Sequence, residues 1–237
     1  MHALTIKLGR ALRRLGSQVL TIALVVAIGV GGFVGLFSVH ASLLQARDDF
    51  YATHRLADVF VNARRAPLAL RERLADLPGV TAVQTGLSWD ATVDLGDPGA
   101  PVTGRFVALS GPPGAPGEQR LNAVRLRDGR WPQADGPLEA VVSEAFARQR
   151  GLVPGARVSA VINGRHQSVR VVGIAISPDT VFASAGGAPD DTSFGIWWVD
   201  ARRLAALLDM EGAFNTAALQ LAPQASPGAT LEAVDRL

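Results

Sequence analysis

Between Arg14 and Arg47 the chain carries no Asp, Glu, Lys or Arg. The centre of that window, residues 19–39, reads VLTIALVVAIGVGGFVGLFSV. A helix over these positions is roughly 31 Å long at about 1.5 Å per residue, close to the roughly 30 Å hydrocarbon core of a bilayer. A core helix of a soluble domain would need a polar face over such a length, and this stretch has none. A cleaved signal peptide would suit the basic start and Val39-His40-Ala41, but the apolar run exceeds the roughly 7–15 residues of a signal h-region. One retained membrane span is the expectation. Lys7, Arg10, Arg13 and Arg14 precede it without any acid, and Arg47, Asp48 and Asp49 follow. Basic flanks stay on the cytoplasmic side, so the N-terminus is expected inside and the chain beyond about residue 40 outside.

The leader repeats the membrane theme. Leu4, Leu8, Leu12 and Leu15 fall at helical spacing with the basic residues elsewhere on the wheel. Such a segment reads either as an amphipathic helix lying on the inner leaflet or as a plain cytoplasmic flank. Within the span, Gly31 and Gly35 form G-x-x-x-G, a spacing that lets two helix backbones approach closely in lipid. A dinucleotide-binding reading of the same glycines fails, because Val34 stands where a third glycine is required and no strand precedes.

Charge and residue type narrow the function classes. The whole chain has 23 Lys+Arg and 21 Asp+Glu. All four bases of residues 1–46 lie in the leader, so the remainder carries 19 bases against 21 acids. Basic excess is therefore an orientation signal, and the scattered arginines make no nucleic-acid surface. Cysteine is absent, which removes disulfides, thiol catalysis and cysteine-ligated zinc. The only lysine is Lys7, so a Walker A site or a lysine Schiff base is excluded from the region outside.

Past the span the 3.5-residue spacing of Leu36, Leu43 and Phe50 continues the helix as a stalk. The period then changes. Ala57 to Val61 reads as a strand, Pro67 to Leu77 as a helix ended by Pro78-Gly79, and Val80 to Thr85 as a returning strand. Strands are also expected at 92–95 and 105–109, followed by a loop, GPPGAPGE, at 111–118. Asp128-Gly129 marks a turn, Leu138 to Val142 a strand, and Ser143 an N-cap for a helix ending at Gly151. Asn163-Gly164 between Arg157–Ile162 and Gln167–Ile176 is a strong hairpin signal. After a second loop, Ser177 to Thr192, come a strand at 194–199, a helix capped by Asp200, a strand at 217–221 and a helix opened by Ser226-Pro227.

Chemistry-bearing constellations are sparse. His2, His40, His54 and His166 show no metal-ligand spacing, and no nucleophile sits in a G-x-S-x-G turn. No catalytic, cofactor or metal residue is assigned, and the chain is expected not to be an enzyme. Asp179, Asp190 and Asp191 in the second loop are the candidate cation or partner-binding residues, against the plainer reading of turn carboxylates. Trp197-Trp198 on one strand must point to opposite sides, one expected in the core and one on an interface face.

Several segments together resemble a family. The basic leader, the span, ADVFV at 57–61, LPGV at 77–80, Leu121-Asn122, DGRWP at 128–132, VVSEAFA at 141–147, GLVPGARV at 151–158 and VVGI at 171–174 stand in the order found in ABC-transporter permeases. The similarity is to permeases with the MacB-like periplasmic core domain, including the FtsX-like and lipoprotein-release permeases. It implies an α+β fold: leader 1–16, transmembrane helix 17–40, helical stalk 41–55, and a two-lobed extracytoplasmic α+β domain 56–237 with lobes divided near 111–119. The first lobe would be completed by strands returning near 215–237.

The resemblance further implies a separate cytoplasmic ABC ATPase subunit as partner, pairing of permeases as a homodimer or similar pair, and residence in the bacterial inner membrane. Nucleic acid is not an expected partner. Members of the family return to the membrane after this domain, so the 237 residues are expected to be the amino-terminal part of a longer permease or a truncated product. The alternative is a single-span anchored binding or scaffold domain with no ATPase.

Overall fold

The structure is a computed structural model and describes residue 9 and residues 16–96, 102–110, 121–180 and 190–237. Lys7, Arg10, Arg13 and Arg14, the loop at 111–118 and most of the second loop lie outside the described residues. The chain divides into two units, Met1–Phe50 and Tyr51–Leu237.

The first unit is built on α1, which runs without a break from Gly16 to Thr53. Its segment Leu20–Ala46 is the one helix among the described residues long and apolar enough to cross a membrane. Leu20, Ile22, Val25, Phe33 and Phe37 are all exposed, so apolar side chains face outward around the helix. Lipid is the solvent in which that surface is stable.

In the second unit, β1 (Val59–Pro67), α2 (Leu70–Ala75), β2 (Val80–Gly86), β10 (Ala213–Leu221) and α5 (Pro227–Val234) make the smaller lobe. Its sheet has the order β1-β10-β2, both pairings antiparallel, so the returning strand lies at the centre. Val59, Leu74, Phe214 and Leu219 form its core.

The larger lobe holds β3 (Ser88–Asp94), β4 (Val102–Leu109), β5 (Arg125–Gly129), β6 (Leu138–Ser143), α3 (Glu144–Arg150), β7 (Arg157–Ile162), β8 (Arg165–Ile176), β9 (Phe194–Asp200) and α4 (Ala201–Leu208). Its strand order is β5-β8-β6-β9-β4-β3-β7. The long β8 also pairs with β7 along Arg165–Arg170 while pairing with β6 along Val169–Ala175. Six strands therefore close into a ring, which removes the free edges an open sheet would expose. Phe106, Ala140, Ile162, Val171, Trp197 and Val199, from β4, β6, β7, β8 and β9, share one core with Val93 of β3. Phe146 of α3 and Leu204 of α4 join the same core.

The change of sheet falls at Leu87, between β2 and β3, and not near 111–119 as expected. Residues 111–119 join β4 to β5, and both belong to the seven-stranded sheet. A composition rich in Pro and Gly marks a loop, but does not say whether the strands beside it share a sheet.

Local signals are met in detail. Asn163 and Gly164 have φ of 49° and 73°, the paired left-handed conformation of a two-residue hairpin. Asp200 accepts from the N–H groups of Arg202 and Arg203 and so caps α4. Ser143 precedes α3 without capping it; its Oγ instead accepts from Ile196 N at 3.2 Å, binding β6 to β9. Trp197 and Trp198 do point to opposite faces, yet both are buried, at 0% and 2% exposure. No interface face exists for either, because the second side of the sheet carries its own core of Leu109, Val141, Val172, Phe194 and Ile196 around Trp198.

Candidate functional site

Between the two sheets of the second unit lies a cleft of about 330 Å³. It exists because small side chains face each other there: Gly86, Thr216 and Ala218 on the smaller sheet, Ala108 on the larger. Phe60, Asn62 and Gln84 complete one wall, and Arg105, Val107 and Ile196 the other, with Asn122 and Asp179 also in the lining. The cleft adjoins a second hollow of about 490 Å³ beside Trp89, Asp90 and Asn215, and Arg105, Asn62, Ser88 and Thr216 line both.

Arg105 is the cation of this site. Its Nε and Nη2 donate to the two carboxylate oxygens of Asp90 at 2.6 and 2.8 Å, directly across the β3–β4 pair, and its guanidinium stands 5.0 Å above the Phe194 ring. The Asp90 hydrogen bond raises the Arg105 pKa, so the charge is permanent. A bidentate pair of this kind orients the guanidinium and leaves it neutralised. The cleft thus offers amides, hydroxyls, a tied ion pair and the Asp179 carboxylate.

The three candidate aspartates are not brought together. Asp179 lies in the short turn Pro178–Thr180 and lines the cleft, accepting from Ser177 Oγ. Burial of its carboxylate among protein atoms pushes its pKa up, against the opposing pull of the Ser177 hydrogen bond. Asp190 is spent on its own turn. It accepts from the hydroxyls of Ser193 and Thr192 and from Thr192 N, which hold its carboxyl well below the usual carboxylate range. Asp191 follows in the same turn before β9. Among the described residues no three His, Asp or Glu side chains are grouped as metal ligands.

Asn122, a buried polar residue bonded to three separate segments, was not among the candidates. It is 5% exposed with φ 51°. Its N–H donates to Arg55 O and its Oδ1 accepts from Ala57 N, both at 2.9 Å, while its carbonyl accepts from Ser177 Oγ at 3.1 Å. Next to it, Ala123 N donates to His54 O and Leu121 N to Gln84 Oε1, each at 2.9 Å. The only trace in the sequence is the Leu121-Asn122 pair, with asparagine the residue after glycine that best tolerates left-handed backbone.

The quoted motifs converge on β8. Gly129 of DGRWP is the direct partner of Gly173 of VVGI, and Arg130 N donates to Val172 O at 2.9 Å. Gly155 of GLVPGARV donates its N–H to Val171 O, and Val171 N returns to Ala156 O. Arg130 places two guanidinium nitrogens on Glu139 at 2.7 and 2.5 Å, and Gln133 N adds a third bond at 3.1 Å. The Arg130 hydrogen bond lowers the Glu139 pKa, which lets a carboxylate with only 4% of its side chain exposed remain charged. These motifs build the fold around β8.

The family described as MacB-like periplasmic core domain matches residues 19–237. Two similar solved structures are the periplasmic region of MacB from Actinobacillus actinomycetemcomitans and the extracellular domain of the noncanonic ABC-type transporter YknZ from Gram-positive bacteria. The first is 10% identical over 74% of this chain and 73% of that one, with a TM-score of 0.43; the second is 16% identical over 75% and 85%, also at 0.43. A search of curated proteins finds no match. The family match, spanning the apolar helix and the whole second unit, decides the matter: this chain belongs to the MacB-like periplasmic core domain family of ABC-transporter permeases.

Proposed function

We propose that the chain is a permease subunit, or a segment of one, in which α1 carries movement between a separate cytoplasmic ABC ATPase and the extracytoplasmic domain. The observation that carries this reading is the continuity of α1. The apolar segment Leu20–Ala46 and the last turn at Tyr51–Thr53 belong to one uninterrupted helix, and the residues just after it, His54 and Arg55, are hydrogen-bonded into the domain. A rigid element joined at its end transmits displacement, where a flexible linker would absorb it. Energy comes from another chain, since the only lysine, Lys7, lies in the leader. The chain is in this reading a non-catalytic partner of that ATPase.

Purification of the tagged chain from detergent-solubilised inner membranes should bring down an ATP-hydrolysing subunit in fixed ratio. A flexible six-glycine insertion after Thr53 should change that subunit's ATPase rate several-fold. Recovery of the chain with no ATPase activity would instead favour the single-span anchored scaffold.

Orientation with the N-terminus inside follows from the basic leader. A reporter active only in the cytoplasm, fused after Leu237, should be silent, and activity there would reverse the topology. Pairing of two such chains through their spans is the companion proposal. A Cβ added at Gly31 or Gly35 meets nothing within 4 Å, so this face is open to a second helix. Changing both to leucine should weaken span association by about 1 kcal/mol in a bacterial membrane helix-association assay; unchanged association would leave both as lipid-facing glycines.

A further inference from the structure

Asn122 directs three of its polar groups to different parts of the second unit. Its N–H reaches Arg55, two residues past α1, its Oδ1 accepts from Ala57, two residues before β1, and its carbonyl faces Ser177, just after β8. One buried residue thus touches the segments that lead from the helix, into the smaller sheet and out of the closed sheet. The two main chains that meet there are both left-handed, at φ 49° for Arg55 and 51° for Asn122. Arg55 holds the left-handed position that ends α1, where Leu56 N donates to Tyr51 O at 3.0 Å. The paired bonds from Asn122 N to Arg55 O and from Ala123 N to His54 O tie that helix end to the Asn122 segment.

Elsewhere, among the described residues, the sheets meet through few side chains, with Leu87, Met210 and Ala213 on one flank. A small cluster of Ala57, Leu121 and Ala218 is supplemented by Gln84 Oε1 on Leu121 N and by Asn215, whose amide pairs with Ser88 N and O at 2.8 Å. Much of the remaining boundary is the cleft, and Asn122 lines it. A boundary with little buried apolar surface opens at low free energy.

We propose that Asn122 is the positioning residue through which the end of α1 sets the spacing of the two sheets, and with it the width of the cleft. A displacement of Arg55 moves the Asn122 main chain, and its side chain and carbonyl carry Ala57 and Ser177 with it. The inference deepens the coupling reading above by naming the joint, and its test needs no ATPase, so either can fail without the other.

The native chain has no cysteine, so Arg73→Cys on α2 and Arg157→Cys on β7, both exposed, accept spin labels alone. Double electron–electron resonance on the full chain in lipid nanodiscs should give one narrow distance peak. Asn122→Gly keeps the left-handed backbone and loses the Oδ1 acceptor; it should at least double the width of the peak. Asn122→Asp keeps an acceptor oxygen and should restore the narrow peak. One glycine inserted between Thr53 and His54 should displace the peak. An unbroadened peak in Asn122→Gly, broadening that Asp does not rescue, or a peak unmoved by the insertion would overturn the proposal. A lowered unfolding midpoint at constant width would do the same, since a merely structural residue behaves that way. Should Asn122→Gly not fold, Ser177→Ala removes the hydroxyl that the Asn122 carbonyl shares with Asp179; broadening there but not in Asp179→Ala supports the joint, while an unchanged width, or equal broadening in Asp179→Ala, overturns it.

Discussion

Trp197→Ala should lower the stability of the extracytoplasmic domain by about 4 kcal/mol, the range for emptying a buried tryptophan site. Trp197 is fully buried on β9, stacked on Phe106 with ring centroids 5.8 Å apart and meeting Phe146 edge-on at 5.9 Å. These three rings come from β4, β9 and α3, so the cavity would open where strands and helix meet, with little freedom to collapse. For a domain of this size the unfolding midpoint should fall by about 10 °C. Trp197→Phe should cost less than half as much, because Nε1 has no hydrogen-bond partner among the described residues and its loss forfeits no bond. Circular dichroism melts of the full chain in detergent would check both, and a fall under about 3 °C for the alanine variant would sink the argument.

Gly129→Ala should be almost as damaging although it adds a single methyl. Gly129 has φ 78°, where a side chain is strained by about 1–2 kcal/mol. Its added Cβ would also collide with Val172 O and stand 2.8 Å from Gly173 Cα. Both obstacles are backbone of the paired strand, so nothing rotates away, and overpacking adds about 1–3 kcal/mol. Gly173→Ala meets the mirror problem, with Arg130 O at 2.7 Å and Asp128 O at 3.0 Å. The control is Gly164→Ala, at φ 73° with nothing within 4 Å, which should show the conformational cost of about 1 kcal/mol alone. Denaturant midpoints for the three variants would separate strain from collision; equal losses at Gly129 and Gly164 would remove the collision from the account.

The paired glycines sit where local signals no longer specify the strand. Asp128-Gly129 reads as a turn, and the left-handed φ agrees, but RLRDG before it gives no alternation and β5 went unread. That strand exists because β8 offers it an edge. β1 likewise extends to Pro67, through Arg64 and Arg65, because β10 continues beside it across a register shift. Ser143 has the residue type and position of an N-cap, yet its hydroxyl is taken by Ile196 N, a group 53 positions away.

What the sequence determined by itself are the features whose energy is local. Α1 follows from an uncharged apolar window long enough to span a bilayer, the β7–β8 turn from Asn163-Gly164, and the start of α4 from Asp200. Each depends on residues within a turn or two, so composition and spacing suffice. The tertiary structure alone decided that six strands close into a ring, that the sheets change at Leu87, that both tryptophans are buried, and that Asn122 joins three segments. Those outcomes rest on pairings between residues tens of positions apart, where backbone groups are interchangeable and only the packing of the whole chain selects which of them meet.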